Sequence, residues 1–184
     1  MLAGSFPNYL YWNYPPLFFA VTALLAAMPY LASFLGWVIS TCSAYAVTIG
    51  AISRRWEGVL GACASPVILL TAFGGQNGFL SAALLGGFLL FLPTRPVVSG
   101  VLLGLLTYKP QLGILIPIAL IAGGQWRALS SAAVTAALAA GLAALAFGPG
   151  VYASFLHSLP VVSHVYLTLG GEGWARMESI YAIA

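Results

Sequence analysis

From Leu31 to Phe147 the sequence is a succession of apolar runs, and the few charged residues of that stretch fall in the short breaks between them. Runs of this length and purity point to the hydrocarbon core of a bilayer, where a backbone must satisfy its own polar groups, as a helix does. The expected fold is therefore all-α, a polytopic transmembrane helical bundle. Composition agrees, with 61% of the 184 residues hydrophobic and 5% charged, where soluble domains carry about a quarter charged residues. Such a chain cannot coat a soluble globule. Its net charge of +3 is six cations against three glutamates, and the cations never cluster beyond the Arg54–Arg55 pair, which reads as membrane orientation and not as a nucleic-acid footprint.

Run lengths set the organisation. Pro15 to Met28 is 14 residues, about 21 Å of helix against a hydrocarbon core of about 30 Å, and it lies between the interfacial aromatics Trp12, Tyr14 and Tyr30. Residues 1–30 are accordingly read as an external loop and an interfacial or re-entrant helix. Leu31–Ile52, Gly58–Phe73, Gly78–Leu92, Val97–Tyr108, Leu112–Ala122 and Ala128–Phe147 supply six membrane helices within residues 31–147. Residues 148–184 read as an extracytoplasmic loop of the same single membrane domain. The basic breaks at Arg54–Arg55, Arg95 and Arg127 belong in the cytoplasm, and Arg95 and Arg127 share that side only if the chain reverses at Tyr108–Gln111. A single span through Lys109 would put one of them outside. The arms of that hairpin are short, about 16 to 18 Å each, so its tip is expected below the outer surface, buried in protein or facing a watery cavity.

Lys109 is the only lysine, inside a stretch from Val97 to Ala122 that is otherwise uncharged. A cation at the bilayer centre costs about 2.5 to 3.5 kcal/mol on insertion scales, so it is read as a functional group with an anionic partner. There is no aspartate, and the glutamates are Glu57, Glu172 and Glu178. None is near Lys109 in sequence, which leaves an anion brought by a substrate, a phosphate best of all. Gln76 and Asn77, at a helix boundary on the same side, are candidate ligand contacts, although capping or turn formation also explains Asn77. Tyr108 and Gln111 flank the tip, and Tyr11, Trp12 and Tyr14 offer aromatic faces to a sugar or to the interface. Arg176, between Glu172 and Glu178, is either a surface charge or a substrate contact. Cys42 and Cys63 read as small buried hydrophobes, His157 and His164 as loop or interfacial residues, and no metal-ligand spacing occurs.

The segment Tyr14-Pro15-Pro16-Leu17 opening a short apolar helix, Gly75-Gln76-Asn77 between two spans, the arm GVLLGLLTYKP ending in Lys109 and Pro110, and Gln125-Trp126-Arg127 after it follow one another in an order that resembles the family 87 glycosyltransferases. These belong to the glycosyltransferase C superfamily and are similar to polyprenol-phosphate-mannose-dependent mannosyltransferases. The resemblance implies a multi-pass cell-membrane hexosyltransferase, mannosyltransferase-like. It would take sugar from a polyprenyl-phosphate donor and pass it, with inversion, to an extracytoplasmic glycan or glycolipid. It implies no further cofactor. In such enzymes an acidic residue ahead of the YPP-like helix acts as base toward the acceptor. Residues 1–13 contain Asn8 and Asn13 but no Asp or Glu. Either the catalytic base lies upstream of Met1, on a first span missing from a fragment that would be inactive alone, or this copy is inactive; the upstream position is preferred, because an external interfacial loop is a poor place for a chain to begin. The residues by themselves leave two other readings open: a transporter or channel subunit that binds an anion at a broken helix, and a structural subunit in which Lys109 pairs with a partner's carboxylate.

Overall fold

The computed structural model describes residues 14–167, apart from the side chains of 162–167. Those residues are helical throughout, without strands: a 3₁₀ turn at Pro16–Phe18, then α1 Phe19–Ala26, α2 Tyr30–Ser53, α3 Trp56–Cys63, α4 Pro66–Phe73, α5 Gly78–Phe91 and α6 Pro96–Leu105. A second 3₁₀ turn, Leu106–Tyr108, leads to α7 Pro110–Gly113, α8 Ile116–Ala122, α9 Trp126–Phe147 and α10 Gly150–Leu167. Several boundaries follow from local chemistry. Proline stands at the first position of α4, α6 and α7, where its missing N–H is no loss. α2 closes on Arg54, whose left-handed backbone (φ 53°) lets its N–H reach the Gly50 carbonyl at 2.9 Å.

Helix directions follow from the contacts. α2 and α5 run parallel: the Tyr45 ring lies 5.7 Å from that of Phe79, and further along Gly86 faces Thr48 and Ile52. α6 runs antiparallel to α5, with the Ser99 hydroxyl donating to the Phe88 carbonyl (2.7 Å) at one end and Tyr108 beside Asn77 at the other. α6 and α9 are the tightest pair. Gly100 faces the Ala128 carbonyl, and a Cβ at Gly104 would lie 2.5 Å from that of Thr135. Small residues four apart let two backbones approach this closely in a bilayer. The Ser131 hydroxyl adds a hydrogen bond to the Val97 carbonyl, 2.8 Å.

α6 and α9 therefore run the same way, although they adjoin in sequence. The chain between Tyr108 and Trp126 must travel back along the bundle, so residues 96–122 form a hairpin that reverses at Lys109. Arg54, Arg55, Arg95 and Arg127 consequently share one end of the bundle, called the basic end below, and Gln76, Asn77 and Lys109 share the other.

Three features depart from the sequence expectations. The Gly58–Phe73 run is not one helix but α3 and α4, bent by 65°. Pro66 drives Ser65 into extended backbone (ψ 132°), so no helix can pass through it. The return arm Leu112–Ala122 is likewise broken, between Gly113 and Ile116. Pro117 has no N–H to offer the Gly113 carbonyl, which explains the break. The segment read as a loop from residue 148 carries the helix α10, packed on α9 through a hydrogen bond from the Tyr152 hydroxyl to the Ala140 carbonyl (3.0 Å). Among the described residues, α2 and α9 alone are long and apolar enough to cross a membrane, with the bent α3–α4 pair a third if it is one span. α5, at 14 residues, is about 21 Å long and falls short of a hydrocarbon core of about 30 Å. Cys63 is exposed on its helix and not buried as expected, and Cys42 is half-buried; both are free thiols.

The core lies along the outgoing arm of the hairpin up to its tip, where Leu103, Leu106 and Tyr108 meet Leu84 and Phe88 of α5, Leu120 of α8, Ala128 and Ala132 of α9, and Phe18. Phe18 comes from the Pro15–Met28 segment. Its 3₁₀ turn is buried in the bundle while α1 is largely exposed, so the segment dips into the protein at one end only.

Candidate active site at the hairpin tip

The turn that carries Lys109 is fixed from below by its neighbour. Tyr108 is buried, and its hydroxyl shares a 2.7 Å hydrogen bond with Ser81 and donates to the Asn77 carbonyl at 3.3 Å. Ser81 also donates to that carbonyl, 3.0 Å away. The three groups tie the hairpin tip to the first turn of α5. The Tyr108 ring stacks on Phe18 (centroids 4.9 Å), and Phe18 meets Trp37 edge-on at 5.9 Å. A polar knot surrounded by aromatic rings leaves this 3₁₀ turn little freedom.

Lys109 itself has broken from helical geometry (φ −125°, ψ 75°), as a residue before proline does. Its side chain is half-buried, and its ammonium lies 5.9 Å from the centre of the Tyr14 ring, a cation–π distance. Tyr14 stands in turn 6.4 Å from Tyr108 and 5.4 Å from Phe18. The sole carboxylate among the described residues, Glu57, starts α3 at the basic end, the far end from Lys109.

The tip is also recessed. Gly104 packs against Thr135, which sets Tyr108 level with about Ala139, one turn on, while α9 continues to Phe147. At 1.5 Å per residue the tip lies roughly 12 Å below the end of α9. Above it, Phe19 meets Phe147 edge-on at 5.7 Å, so the Tyr14–Phe19 segment leans across the top of α9. Tyr108 and Lys109 thus lie below the end of α9, beside the rings of Tyr14 and Phe18.

The sequence candidates distribute unevenly. Tyr14, Tyr108, Lys109 and Asn77 come together. Asn77 is buried at the N-cap of α5 but makes no side-chain capping bond, so capping does not account for its amide. Gln76 and Gln111 are exposed at the same end, with the Gln76 side chain folded back over Gly74. Gly75 makes the intervening turn with φ 58°, a conformation glycine adopts freely. Tyr108 directs its hydroxyl into the bundle, toward Ser81 and Asn77. Arg176, Glu172, Glu178, Tyr11, Trp12, Asn8 and Asn13 lie outside the described residues, as does the side chain of His164; His157 is exposed on α10. Ser81 and Phe18 were not anticipated. The one available signal was the Asn77–Ser81 spacing, four residues apart on a helix face that also meets the tip.

The chemistry of such a site suits an anion. A fixed ammonium flanked by hydrocarbon and aromatic rings interacts with a phosphate far more strongly than it would in water. Among the described residues no group of three His, Cys, Asp or Glu side chains is placed to bind a metal.

A protein-family model described as Glycosyltransferase family 87 matches residues 12–183, nearly the whole chain. No curated protein and no solved structure matches it.

Proposed function

Because the chain belongs to glycosyltransferase family 87 and is a membrane glycosyltransferase, we propose that it takes a hexose, mannose-like, from a polyprenyl-phosphate donor and that Lys109 holds the donor's phosphate. Family membership favours an enzyme over the transporter and structural-subunit readings. The observation that carries the assignment is the recessed ammonium of Lys109, beneath Tyr14 and remote from Glu57.

In the reaction an acceptor hydroxyl attacks the anomeric carbon from the face opposite the phosphate, the C–O bond to phosphate breaks, and the hydroxyl proton passes to a base. Negative charge grows on the departing polyprenyl phosphate. A preorganised cation in a low-dielectric recess stabilises that charge more in the transition state than in the ground state, which is what lowers a barrier. Asn77 and Gln76 offer amides to sugar hydroxyls or phosphate oxygens, Gln111 a third, and Tyr14 an aromatic face to the sugar. Arg176 is a further candidate contact on the acceptor side. The protein acts as a multi-pass enzyme of the cell membrane with its basic end in the cytoplasm, on an extracytoplasmic glycan or glycolipid.

The base is not among the residues ahead of Tyr14, since 1–13 hold no Asp or Glu. Purified protein in lipid, offered polyprenyl-phosphate hexose or the nucleotide-linked sugar with candidate acceptors, tests the reading. Transfer from the prenyl donor alone supports it. Equal transfer directly from the nucleotide sugar contradicts the donor assignment.

A further inference from the structure

α5 and the return arm both run from the hairpin tip toward the basic end, and a groove of about 570 Å³ lies between them, within the range of about 300–1,000 Å³ common to small-molecule sites. Leu85, Leu89 and Leu92 of α5 form one wall, and Leu112, Ile116 and Ala119 of the return arm form the other. From Leu85 to Leu92 the groove follows about 10 Å of helix. Among the described residues Gln125, at the basic end, is the only polar side chain on its walls.

The groove reaches the bundle's surface where the cations are. Three residues beyond Leu92, the Arg95 guanidinium lies back over the Phe91 ring, 6.0 Å from its centre, while the Arg95 N–H bonds the Phe91 carbonyl at 2.7 Å. On the other side the return arm ends in a Schellman turn: Gly124 is left-handed (φ 65°), its N–H reaches the Ile121 carbonyl (3.1 Å), and that of Gln125 reaches the Leu120 carbonyl (2.8 Å). That turn delivers Trp126 and Arg127, both exposed, to the first turn of α9. The contacts of Gly100 with Ala128 and of Ser131 with Val97 set Arg95 level with about Arg127. An exposed tryptophan beside arginines belongs at the headgroup level of a bilayer. Glu57 is at this end too, but it starts α3, a helix packed on α2, and neither wall carries an acid.

An apolar groove with a cationic mouth complements an amphiphile with an anionic head. The phosphate proposed at Lys109 enters from the opposite end of the bundle, so a lipid held by Arg95 and Arg127 comes from the other leaflet. We infer that the groove between α5 and the return arm seats one acyl chain of an anionic phospholipid whose phosphate is held by Arg95 and Arg127, as basic pockets between membrane helices hold lipid headgroups. The inference stands apart from the donor reading. Its consequence reaches the tip all the same: Leu112, on the groove wall, follows Lys109 by three residues, so the lipid braces the arm that carries the lysine.

The protein in vesicles of phosphatidylcholine, with a trace of phosphatidylglycerol carrying a diazirine midway along one acyl chain, provides the test. After irradiation, adducts are expected on peptides spanning 85–92 and 112–125, at least fivefold more than with the same diazirine on phosphatidylcholine. Ala119→Phe, at an exposed position on the groove wall, is expected to cut the yield at least fivefold without any change of charge. Arg95→Gln combined with Arg127→Gln is expected to abolish the preference between the two probes, and equimolar polyprenyl phosphate is expected to leave the labelling unchanged. Equal labelling by the two probes on the unaltered chain would overturn the inference whether or not the variants insert. So would adducts spread over the exposed faces of α2 and α9 with none in the groove, an undiminished yield in an inserted Ala119→Phe protein, or displacement of the label by polyprenyl phosphate, which would assign the groove to the donor. Failure of the donor reading would appear instead as absent sugar transfer, with this labelling pattern intact.

Discussion

At the scale of single residues, the tip depends on Tyr108 twice, once through its hydroxyl and once through its ring. Tyr108→Phe removes the bond to Ser81 and the Asn77 carbonyl but keeps the stack on Phe18. It is expected to cost about 1 kcal/mol, because Ser81 retains its own bond to Asn77. Tyr108→Ala loses a buried aromatic and is expected to cost about 3–5 kcal/mol. Unfolding of the two variants in one detergent would check the order; equal losses would mean that the hydroxyl, and not the ring, holds the turn. Lys109 was legible from sequence because an unpaired cation in a charge-free run is rare and expensive. Ser81 was not, because a serine in an apolar helix ordinarily back-bonds within its own turn, and nothing local announces a partner 27 residues away.

At the scale of elements, the reversal at Lys109 could be argued from the positions of Arg95 and Arg127, since orientation rules act on short loops that sequence makes visible. The breaks in α3–α4 and α7–α8 were harder to see, as both hinge on prolines inside otherwise uniform apolar runs, where composition alone suggests continuity. The contact that enforces the hairpin is α6 against α9. Gly104→Val would drive a side chain into Thr135 and the Ala132 carbonyl and is expected to destabilise by about 1–3 kcal/mol, as overpacking does. Gly141→Val on α9, where a Cβ meets nothing within 4 Å, is expected to change stability by no more than about 0.5 kcal/mol. Equal effects in a thermal or proteolytic unfolding assay would argue against close α6–α9 packing.

At the scale of the whole molecule, the parallel pairs α2–α5 and α6–α9 place every arginine from 54 to 127 at one end and the candidate site at the other. In a variant with Cys42 and Cys63 replaced by serine, single cysteines at 95 and 127 are expected to label from the same side of the membrane and one at 76 from the opposite side. Labelling of 95 and 127 from opposite faces would contradict the hairpin in the bilayer. The account stands most directly on Lys109, and sugar transfer from a polyprenyl-phosphate donor by the protein carrying Lys109→Met measures it. Transfer is expected to fall nearly to background with expression and insertion intact, because the substitution removes a charge that is itself unfavourable in the membrane. Lys109→Arg should restore only part of the rate, since guanidinium and ammonium differ in shape and hydration. A Met variant that inserts normally and transfers sugar at the parental rate would contradict the assignment of the donor phosphate to the hairpin tip.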